Sequence, residues 1–582
     1  MTILSQYGKM QAKRNIRRVI VMRNHYQLFR DLLSQRMESI IKTHKMHQDP
    51  VLSATWLNAA TSGVPDALYY GSQSINFVIG YYMKGTPYYH DKSLLDYAYE
   101  SLCMYEKLIH EDGSVDLAVT NFHDPSQTGF HAQALLPPAL LIEKYTEHTP
   151  LEDKLFDKYL EIMKRMGDAM ATLGFHTPNH RWVVSSGLAT VYHFIKDPKY
   201  QETIDKFLME GIDCDEYGEF TERSTGVYNV VCDFSFFVWA ELSGDDSYYC
   251  PVRRNLNLMY HFTETDGSLN TLNSTRWDLG GAYSIAKYYP YYMLLALRDE
   301  NPEFAYMADT HYDEYIKKYG QHLFHLMLYA VLHPEEEEKF ERIPLKAPEE
   351  NQTIFLPNSR IARVYKPELK ATITALCTRH PVFCQLNYGA SIVQFRYAGS
   401  FFGDPHSTFR ARKIEEIEDG YRLSGDEQAG YRSTLAEKPE TSNWRKMDHS
   451  KRDTINVQTL HREVDIHILD DGIRFDFRAN ECECVPTKFE IVLPIGGKLF
   501  TDSIVMVPKA GDYAYLNGKA KYFINATQYL EIEGGFVKHT YGDGMRGTFP
   551  SDAKNFTLAL TDFTPQEASV TIRMKHLFDE IK

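Results

Sequence analysis

The hydrophobic pattern of this 582-residue chain changes period once, near residue 340, and that change limits what the chain can fold into. Before it, apolar residues recur at helical spacing, with Gly and Pro falling between the periodic segments. Leu94, Tyr97, Ala98, Leu102, Tyr105 and Leu108 make one such face; Leu135 to Tyr145, Leu155 to Met166, Val183 to Phe194, Val230 to Leu242 and Tyr291 to Leu297 make others. A charged, Pro-dotted stretch opens at His333-Pro334-Glu335-Glu336-Glu337-Glu338-Lys339 and reads as a linker or an exposed crossing. Beyond it the runs are short and alternating: Ile361 to Tyr365, Ala371 to Leu376, Ile392 to Tyr397, Val464 to Leu469, Ile473 to Phe477 and Phe556 to Leu560. Such runs, split by Gly, Asn and Asp, are those of antiparallel sheets stacked as a sandwich. The expectation is a multidomain α-then-β chain, helical over residues 1–334, linking over 335–352 and an antiparallel β-sandwich over 353–582. The last is long enough for one large sandwich or two stacked units.

A weak internal repeat refines the helical half. Helices end in related acidic turns at Glu111-Asp112-Gly113-Ser114-Val115-Asp116, Asp215-Glu216-Tyr217-Gly218-Glu219-Phe220 and Thr265-Asp266-Gly267-Ser268-Leu269-Asn270. Gly218 and Gly267 are 49 residues apart and Gly113 and Gly218 are 105 apart, one and two periods, which puts a missing member near Gly174. A period of two helices plus loops is the unit of an (α/α) toroid, an incomplete barrel whose long loops gather on one face.

Composition removes several functions. A formal net charge of −15 argues against a nucleic-acid binder, which needs a basic face to displace counterions. An acidic substrate would have to be held by local Arg, Lys and His against the global field. The basic run from Lys9 to Arg23 reads as a solvated helix face. No run of eighteen apolar residues is present, so a membrane span is not expected, and Met1 to Arg18 has no apolar core of a secretory leader. Eight scattered cysteines without a C-x-x-C pair suit neither a zinc site nor a disulfide framework, so the expected compartment is the cytoplasm. Aromatic residues at 13%, with 40 Tyr and 32 Phe, fit large packed surfaces, and Tyr also lines sugar clefts.

Two polar clusters carry the chemistry. Thr177-Pro178-Asn179-His180-Arg181-Trp182 opens a helix, with Thr177 as the expected N-cap and Pro178 in the first turn. Asn179 and His180 then sit at the positive end of that helix, which favours an anion. Glu222-Arg223-Ser224-Thr225-Gly226-Val227-Tyr228-Asn229 lies between a turn and the next helix, and the repeat makes the two loops neighbours. Removing the C5 proton of a uronic acid needs a group that neutralises the carboxylate, a base for the proton and an acid for the departing oxygen. Asn179 suits the first role, His180 and Tyr228 the other two; syn and anti elimination both stay open. Each cluster also has a plain structural role, as helix caps, a packed ring or a Glu222–Arg223 surface ion pair.

These residues resemble the toroid-plus-sandwich polysaccharide lyases, which include heparinase II/III-like, alginate and chondroitin lyases. The likeness lies in Asn179-His180 before an apolar helix, then in Gly218 through Tyr228, and in the domain order. It implies Asn179, His180 and Tyr228 as neutraliser, base and acid of β-elimination. It also implies one further histidine from the β domain, for which His406 in Phe402-Gly403-Asp404-Pro405-His406-Ser407 is the match. The lack of a leader in this sequence favours an imported acidic oligosaccharide over a long extracellular polymer.

Two further loops are expected to complete the cleft. Asn121, His123 and Gln127 follow the first acidic turn, and Arg276, Trp277 and Asp278 follow the third, where Arg276 could clamp a carboxylate and Trp277 could stack on a sugar. Arg181, Glu222 and Arg223 support the main clusters. No cofactor is expected. His123, Asp124, His406 and His449 leave a divalent metal open without diagnostic spacing. Two other functions fit the same scaffold: a glycoside hydrolase working through paired carboxylates among Asp112, Asp116, Asp215, Glu219, Glu222, Asp266 and Asp278, and a non-catalytic glycan-binding protein. Sugar identity, endo- or exo-action and oligomeric state are not written in the residues.

Overall fold

A computed structural model describes residues 21–577 apart from 49–66, 118–119, 146, 173, 320–323, 368, 376–379, 389–390 and 404. The basic run from Lys9 lies outside the described residues up to Ile20, as does the stretch 1–18. The chain divides into two compact units, Met1–Met259 with Ser284–Pro348, and Tyr260–Tyr283 with Glu349–Lys582.

The first unit is helical. Its described helices are α1 (His25–Gln48), α2 (Ala67–Tyr82), α3 (Ser93–Glu106), α4 (Pro125–Lys144), α5 (Pro150–Met170), α6 (Pro178–Ile195), α7 (Pro198–Met209), α8 (Tyr228–Ser243), α9 (Tyr249–Phe262, which ends across the unit boundary), α10 (Tyr289–Asp299), α11 (Pro302–Tyr319) and α12 (Phe324–Leu332). Every periodic segment read from the sequence falls on one of them, with Leu108 and Tyr145 lying just past the ends of α3 and α4. Sequence-local signals start several: Asp124 accepts from the Ser126 and Gln127 amides, Thr149 and Glu152 form a reciprocal capping box, and Asp197 caps α7. Helices α2, α4, α6, α8 and α10 pack one on the next as an inner series, and α2, α4, α6 and α10 each pack against the helix that follows, the layering of an (α/α) toroid.

The inner helices lie close because two glycines allow it. A Cβ at Gly129 would press on the Val183 carbonyl of α6, and one at Gly187 would press on Gly129 of α4. Their depth is fixed by one side chain: Gln133 Nε2 donates to Ser186 Oγ at 2.5 Å and to Ser235 Oγ at 3.2 Å. Gln133 and Ser186 are each the ninth residue of their helix and Ser235 the eighth. With a constant rise of about 1.5 Å per residue, the N-termini of α4, α6 and α8 are therefore level at one rim.

The charged stretch after α12 is anchored rather than free. Glu337 accepts from Asn24 at 2.8 Å and pairs with Arg30, while Ile343 O accepts from the Met22 amide at 3.1 Å.

The second unit is a sandwich of two sheets. Nine strands run in the order β14 (Val505–Met506), β13 (Lys498–Phe500), β16 (Gly518–Phe523), β17 (Gln528–Gly535), β19 (Gln566–His576), β11 (Gly472–Asn480), β10 (Thr454–Ile468), β9 (Gly420–Arg432) and β8 (Lys413–Ile417). Eight run in the order β15 (Tyr513–Tyr515), β18 (Phe556–Phe563), β12 (Pro486–Leu493), β7 (Ser391–Gly399), β6 (Val382–Tyr388), β5 (Lys370–Thr374), β4 (Ile361–Tyr365) and β3 (Gln352–Leu356), and neighbours are antiparallel except β15 and β18, which run parallel. Of the two sizes the sequence allowed, the structure takes the single large sandwich. One apolar core joins both sheets: Phe395 of β7 (Ser391–Gly399) meets Phe475 of β11 (Gly472–Asn480) at 4.7 Å between ring centroids. Phe477 of β11 likewise meets Phe489 of β12 (Pro486–Leu493) at 4.7 Å.

The three acidic turns share one backbone. In each, one residue's amide donates to a carbonyl four residues on and its own carbonyl accepts from a glycine amide three residues on: His110 with Ser114 and Gly113, Asp215 with Glu219 and Gly218, Glu264 with Ser268 and Gly267. All three glycines have positive φ, at 88°, 94° and 79°, where a side chain is disfavoured. Near Gly174, where the repeat leaves a member missing, the described residues show no such turn. The third turn, moreover, belongs to the sandwich unit, so its sequence likeness to the other two does not carry its location.

Candidate active site

Asn179 and Glu222, read from separate loops, meet in the structure. Asn179 Nδ2 donates to Glu222 Oε2 at 2.6 Å and to Thr177 Oγ1 at 2.9 Å, and both Asn179 and Glu222 are buried. The expected Glu222–Arg223 surface pair is thus not formed, because Glu222 turns inward to the amide. The expected cap is also corrected: Thr177 occupies the N-cap position of α6, but its hydroxyl is spent on Asn179 instead of a backbone amide. With both amide hydrogens used, Asn179 presents Oδ1, a buried atom with no hydrogen-bond partner among the described residues.

The loop carrying Glu222 is held from below. Tyr288 Oη donates to the Thr225 carbonyl at 2.6 Å and Lys287 Nζ to the Gly226 carbonyl at 3.3 Å. Ser224, fully buried, accepts the Tyr228 amide on Oγ at 3.1 Å and the Asn229 amide on its carbonyl at 3.0 Å. Tyr228 is the first residue of α8 and His180 the third of α6, both half-buried, so imidazole and phenol stand at neighbouring helix N-termini on the level rim. The His176 ring lies 6.1 Å from that of His180.

Arg181 does not face a substrate. It pairs with Glu210 at 2.9 Å and Asp213 at 3.5 Å and lies over the Trp182 ring, whose Nε1 donates to Asp213 at 2.7 Å. Arg223 takes a left-handed backbone, φ 50°, and its guanidinium has no ion-pair or hydrogen-bond partner among the described residues.

The first loop splits in two. Asn121 donates to Asp124 Oδ2 at 2.6 Å, while Gln127 in the first turn of α4 contacts His131 Nε2 at 3.1 Å. The other nitrogen of His131 contacts Tyr105 Oη at 2.8 Å, and burial pushes this imidazole down to about 4, so it is neutral. His123 belongs to a separate cluster on the hairpin of β1 (Val115–Leu117) and β2 (Asn121–Asp124). Its ring stacks on His110 at 4.0 Å and meets Asp112 at 2.9 Å, and His110 meets Asp116 at 2.8 Å. Against a burial cost, Ser114 and His123 hold the Asp112 carboxyl below its usual range, and His123 and His110 do the same for Asp116.

Residues 276–278 are carried by the sandwich unit. Trp277 is exposed and Asp278 is buried on Ser274 Oγ at 2.5 Å, where it shapes the loop. The segment is pinned to its own sheet: Lys370 Nζ donates to Thr263 O at 2.9 Å, Arg363 pairs with Glu264 at 3.0 Å, and Asn270 donates to Thr372 at 2.9 Å.

His406, also in the sandwich unit, is a built position. Its Nδ1 meets Glu427 Oε2 at 2.9 Å, and the buried Arg462 donates to the carbonyls of His406, Ser407 and Thr408 at 2.9, 2.8 and 3.3 Å. Burial pulls the Arg462 guanidinium down to about 10. His449 instead folds onto the Trp444 carbonyl at 2.7 Å. No group of three His, Cys, Asp or Glu side chains able to hold a metal occurs among the described residues, and no described helix is long and apolar enough to cross a membrane.

Sequence reasoning missed the polar interior. Asp233 on α8 is fully buried with neither oxygen hydrogen-bonded among the described residues, and burial raises its carboxyl well above the usual range. Asn229 Oδ1, one turn earlier, is likewise unpartnered, as are Gln133 Oε1 on α4 and Ser185 Oγ on α6. The signal was present as Gln133, Ser185, Asn229 and Asp233 inside otherwise apolar helices.

No protein-family model matches the chain, and no curated protein matches it by sequence. Among solved structures, a mutant of the heparan sulfate lyase HepC from Pedobacter heparinus aligns with a TM-score of 0.50 over 88% of this chain and 78% of its own, at 12% identity. Heparinase III aligns at 0.48 over 88% and 76%, at 9% identity. Chondroitin AC lyase of Streptomyces coelicolor A3, as a mutant, aligns at 0.46 over 88% and 74%, at 11% identity. The chain has a polysaccharide lyase-like fold, a helical toroid followed by an antiparallel β-sandwich.

Proposed function

We propose that this protein is a lyase that cleaves a uronic-acid-containing glycan by β-elimination at the rim formed by α4, α6 and α8. One observation carries the reading: Asn179 and Glu222 join two loops into a buried amide–carboxyl pair, beside which His180 and Tyr228 stand at level helix N-termini. Those N-termini favour the sugar carboxylate, despite the negative charge of the whole chain.

In the proposed reaction the base, His180 or Tyr228, takes the C5 proton. The electron pair forms the C4–C5 double bond, the C4–O bond breaks, and the departing oxygen receives a proton from Tyr228. Asn179 stabilises the carboxylate as negative charge develops beside it. Its geometry sets a condition. To offer N–H to substrate from the position now held by Oδ1, the amide must turn over, which brings Oδ1 against Glu222. That contact is favourable when Glu222 carries a proton and donates, so Glu222 acts as a carboxylic acid in the productive complex. His406 is oriented within the sandwich unit by Glu427.

The experiment is a screen of acidic glycans with ultraviolet detection of the conjugated unsaturated uronate and mass spectrometry of the products. Tyr228→Phe and Asn179→Ala are each expected to lower turnover by about 10²–10³-fold without loss of fold, and Glu222→Gln to retain far more activity than Glu222→Ala. Cleavage that adds water and gives no absorbance would assign a hydrolase. Saturable binding without product, unaltered by Tyr228→Phe, would assign a binding protein.

A further inference from the structure

The nine-stranded sheet ends differently at its two sides. One edge, β8, reads Lys413-Ile414-Glu415-Glu416-Ile417, with three charged residues in five. Charges along an edge keep another strand from adding to it. The other edge, β14, lies within Ile504-Val505-Met506-Val507, which carries no charge. Ile504, Val505 and Val507 are 58%, 67% and 63% exposed.

The backbone of that second edge is open. Leu499 of β13 stands opposite Met506 and Phe500 opposite Val505, and the Thr501 amide closes the hairpin on the Ile504 carbonyl at 2.9 Å. Hydrogen-bonded and non-bonded pairs alternate along an antiparallel ladder. With Thr501 and Ile504 bonded, Met506 turns its N–H and C=O toward β13, while Val505 and Val507 turn theirs away from the sheet. No strand takes those groups up, because β14 has no neighbour beyond it among the described residues. The side chains follow the same alternation: Met506 packs onto the core, and Val505 and Val507 stand on the outer face with Phe500.

The residues that flank the segment match an antiparallel copy of it. Asp502 precedes it and Lys509 follows it, both exposed. A second copy of this chain, turned about a two-fold axis through Met506, sets Val505 against Val507 of the other chain on both sides of the axis, and their outward N–H and C=O groups satisfy one another. The same register brings Asp502 of each chain within one residue of Lys509 of the other, so opposite charges meet at both ends.

We propose that this protein self-associates through β14, two chains pairing edge to edge into one continuous sheet. The proposal is independent of the rim chemistry and of the substrate. The contact is a ribbon, small against the roughly 1,200–2,000 Å² of stable interfaces, so pairing depends on concentration.

The test is analytical ultracentrifugation of the full chain from about 1 to 300 µM, with hydrogen exchange followed in residues 502–509. The wild type should pass from one chain toward two as concentration rises, and the 502–509 segment should gain protection in step. Val505→Lys/Val507→Lys, at two exposed positions so that folding is retained, should weaken pairing by about tenfold or more. Asp502→Lys and Lys509→Asp should each weaken it several-fold, since each makes the facing ends alike in charge, and mixing these two proteins should restore it, since each then meets its opposite. A wild-type chain that stays single at the highest concentration would leave the edge to a foreign strand and overturn the proposal. A dimer that survives Val505→Lys/Val507→Lys, or that forms without protection of residues 502–509, would overturn it as well.

Discussion

The second and third acidic turns are almost the same object placed in two different settings. Asp215–Glu219 and Glu264–Ser268 have the same pair of hydrogen bonds and the same positive-φ glycine. The second turn is fixed by backbone packing: Gly218 lies against the Arg254 carbonyl, Asn255 donates to Gly218 O at 2.8 Å, and Arg254 donates to Cys214 O at 3.2 Å. The first turn repeats this device, with Gly113 against Arg165 O and Arg165 donating to His110 O at 2.8 Å. The third turn is fixed instead by buried charge on the sandwich, through Glu264, Arg363 and Lys370. A turn is a local solution that the chain reuses; what surrounds it decides whether it delivers a buried Glu222 to an amide or an exposed Trp277 to solvent.

The sharpest way to break the comparison is at Arg363, which is 1% exposed against a Glu264 that is 2% exposed. Its Nε also donates to His261 O at 2.9 Å, and Nη1 bonds Thr372. Arg363→Met leaves the Glu264 carboxyl buried without its guanidinium, and the expected loss is about 3–5 kcal/mol. Hydrogen exchange should rise across β4 (Ile361–Tyr365), β5 (Lys370–Thr374) and residues 260–283, while α6 and α8 stay protected. Equal loosening of both units would show that the third turn is not held by charge.

Gly218→Ala attacks the second turn by the opposite route. An alanine there must take a φ of 94° and push its Cβ into the Arg254 carbonyl, so strain and displacement together cost about 2–3 kcal/mol. The expected readout is faster exchange in residues 213–229 with the strands unaffected. Gly113→Ala should behave alike, because Arg165 stands where Arg254 does.

What the sequence shows and hides follows the same line. Helix and strand periods are local, so Leu135 to Tyr145 and Ile473 to Phe477 are found where their spacing puts them. Caps made by Asp124, Thr149 and Asp197 are equally local. The joining of Asn179 to Glu222 could be anticipated as nearness, from the repeat, but not as a hydrogen bond that uses up the Asn179 donors. Arg181 looked available because Glu210 and Asp213 lie about thirty residues on, and a guanidinium finds such partners only in three dimensions. Glu427 and Arg462, which build the His406 position, come from strands 21 and 56 residues away and left no mark in the local pattern. The departure of 260–283 to the other unit was hidden for the same reason: the period continued while the packing partner changed.

The smallest expected effect sharpens the comparison through pH. Lys370 is buried at the third turn with its ammonium on Thr263 O and 3.8 Å from the centre of the Tyr365 ring, and burial lowers its pKa to about 8 despite the nearby Glu264. The unfolded chain holds the same proton up to about 10.4. Between these values the unfolded state binds more protons than the folded one, so unfolding free energy rises with pH there. Below about pH 8 both states are protonated and the full cost of burying the charge is present. The sandwich unit should therefore grow more stable from pH 8 toward 10, as measured by urea midpoint with exchange in β5 as the local reporter. Lys370→Met should flatten that rise, whereas Gly218→Ala should lower stability without altering its slope. A rise that survives Lys370→Met would place the titration elsewhere and remove buried charge at this residue as what distinguishes the third turn from the second.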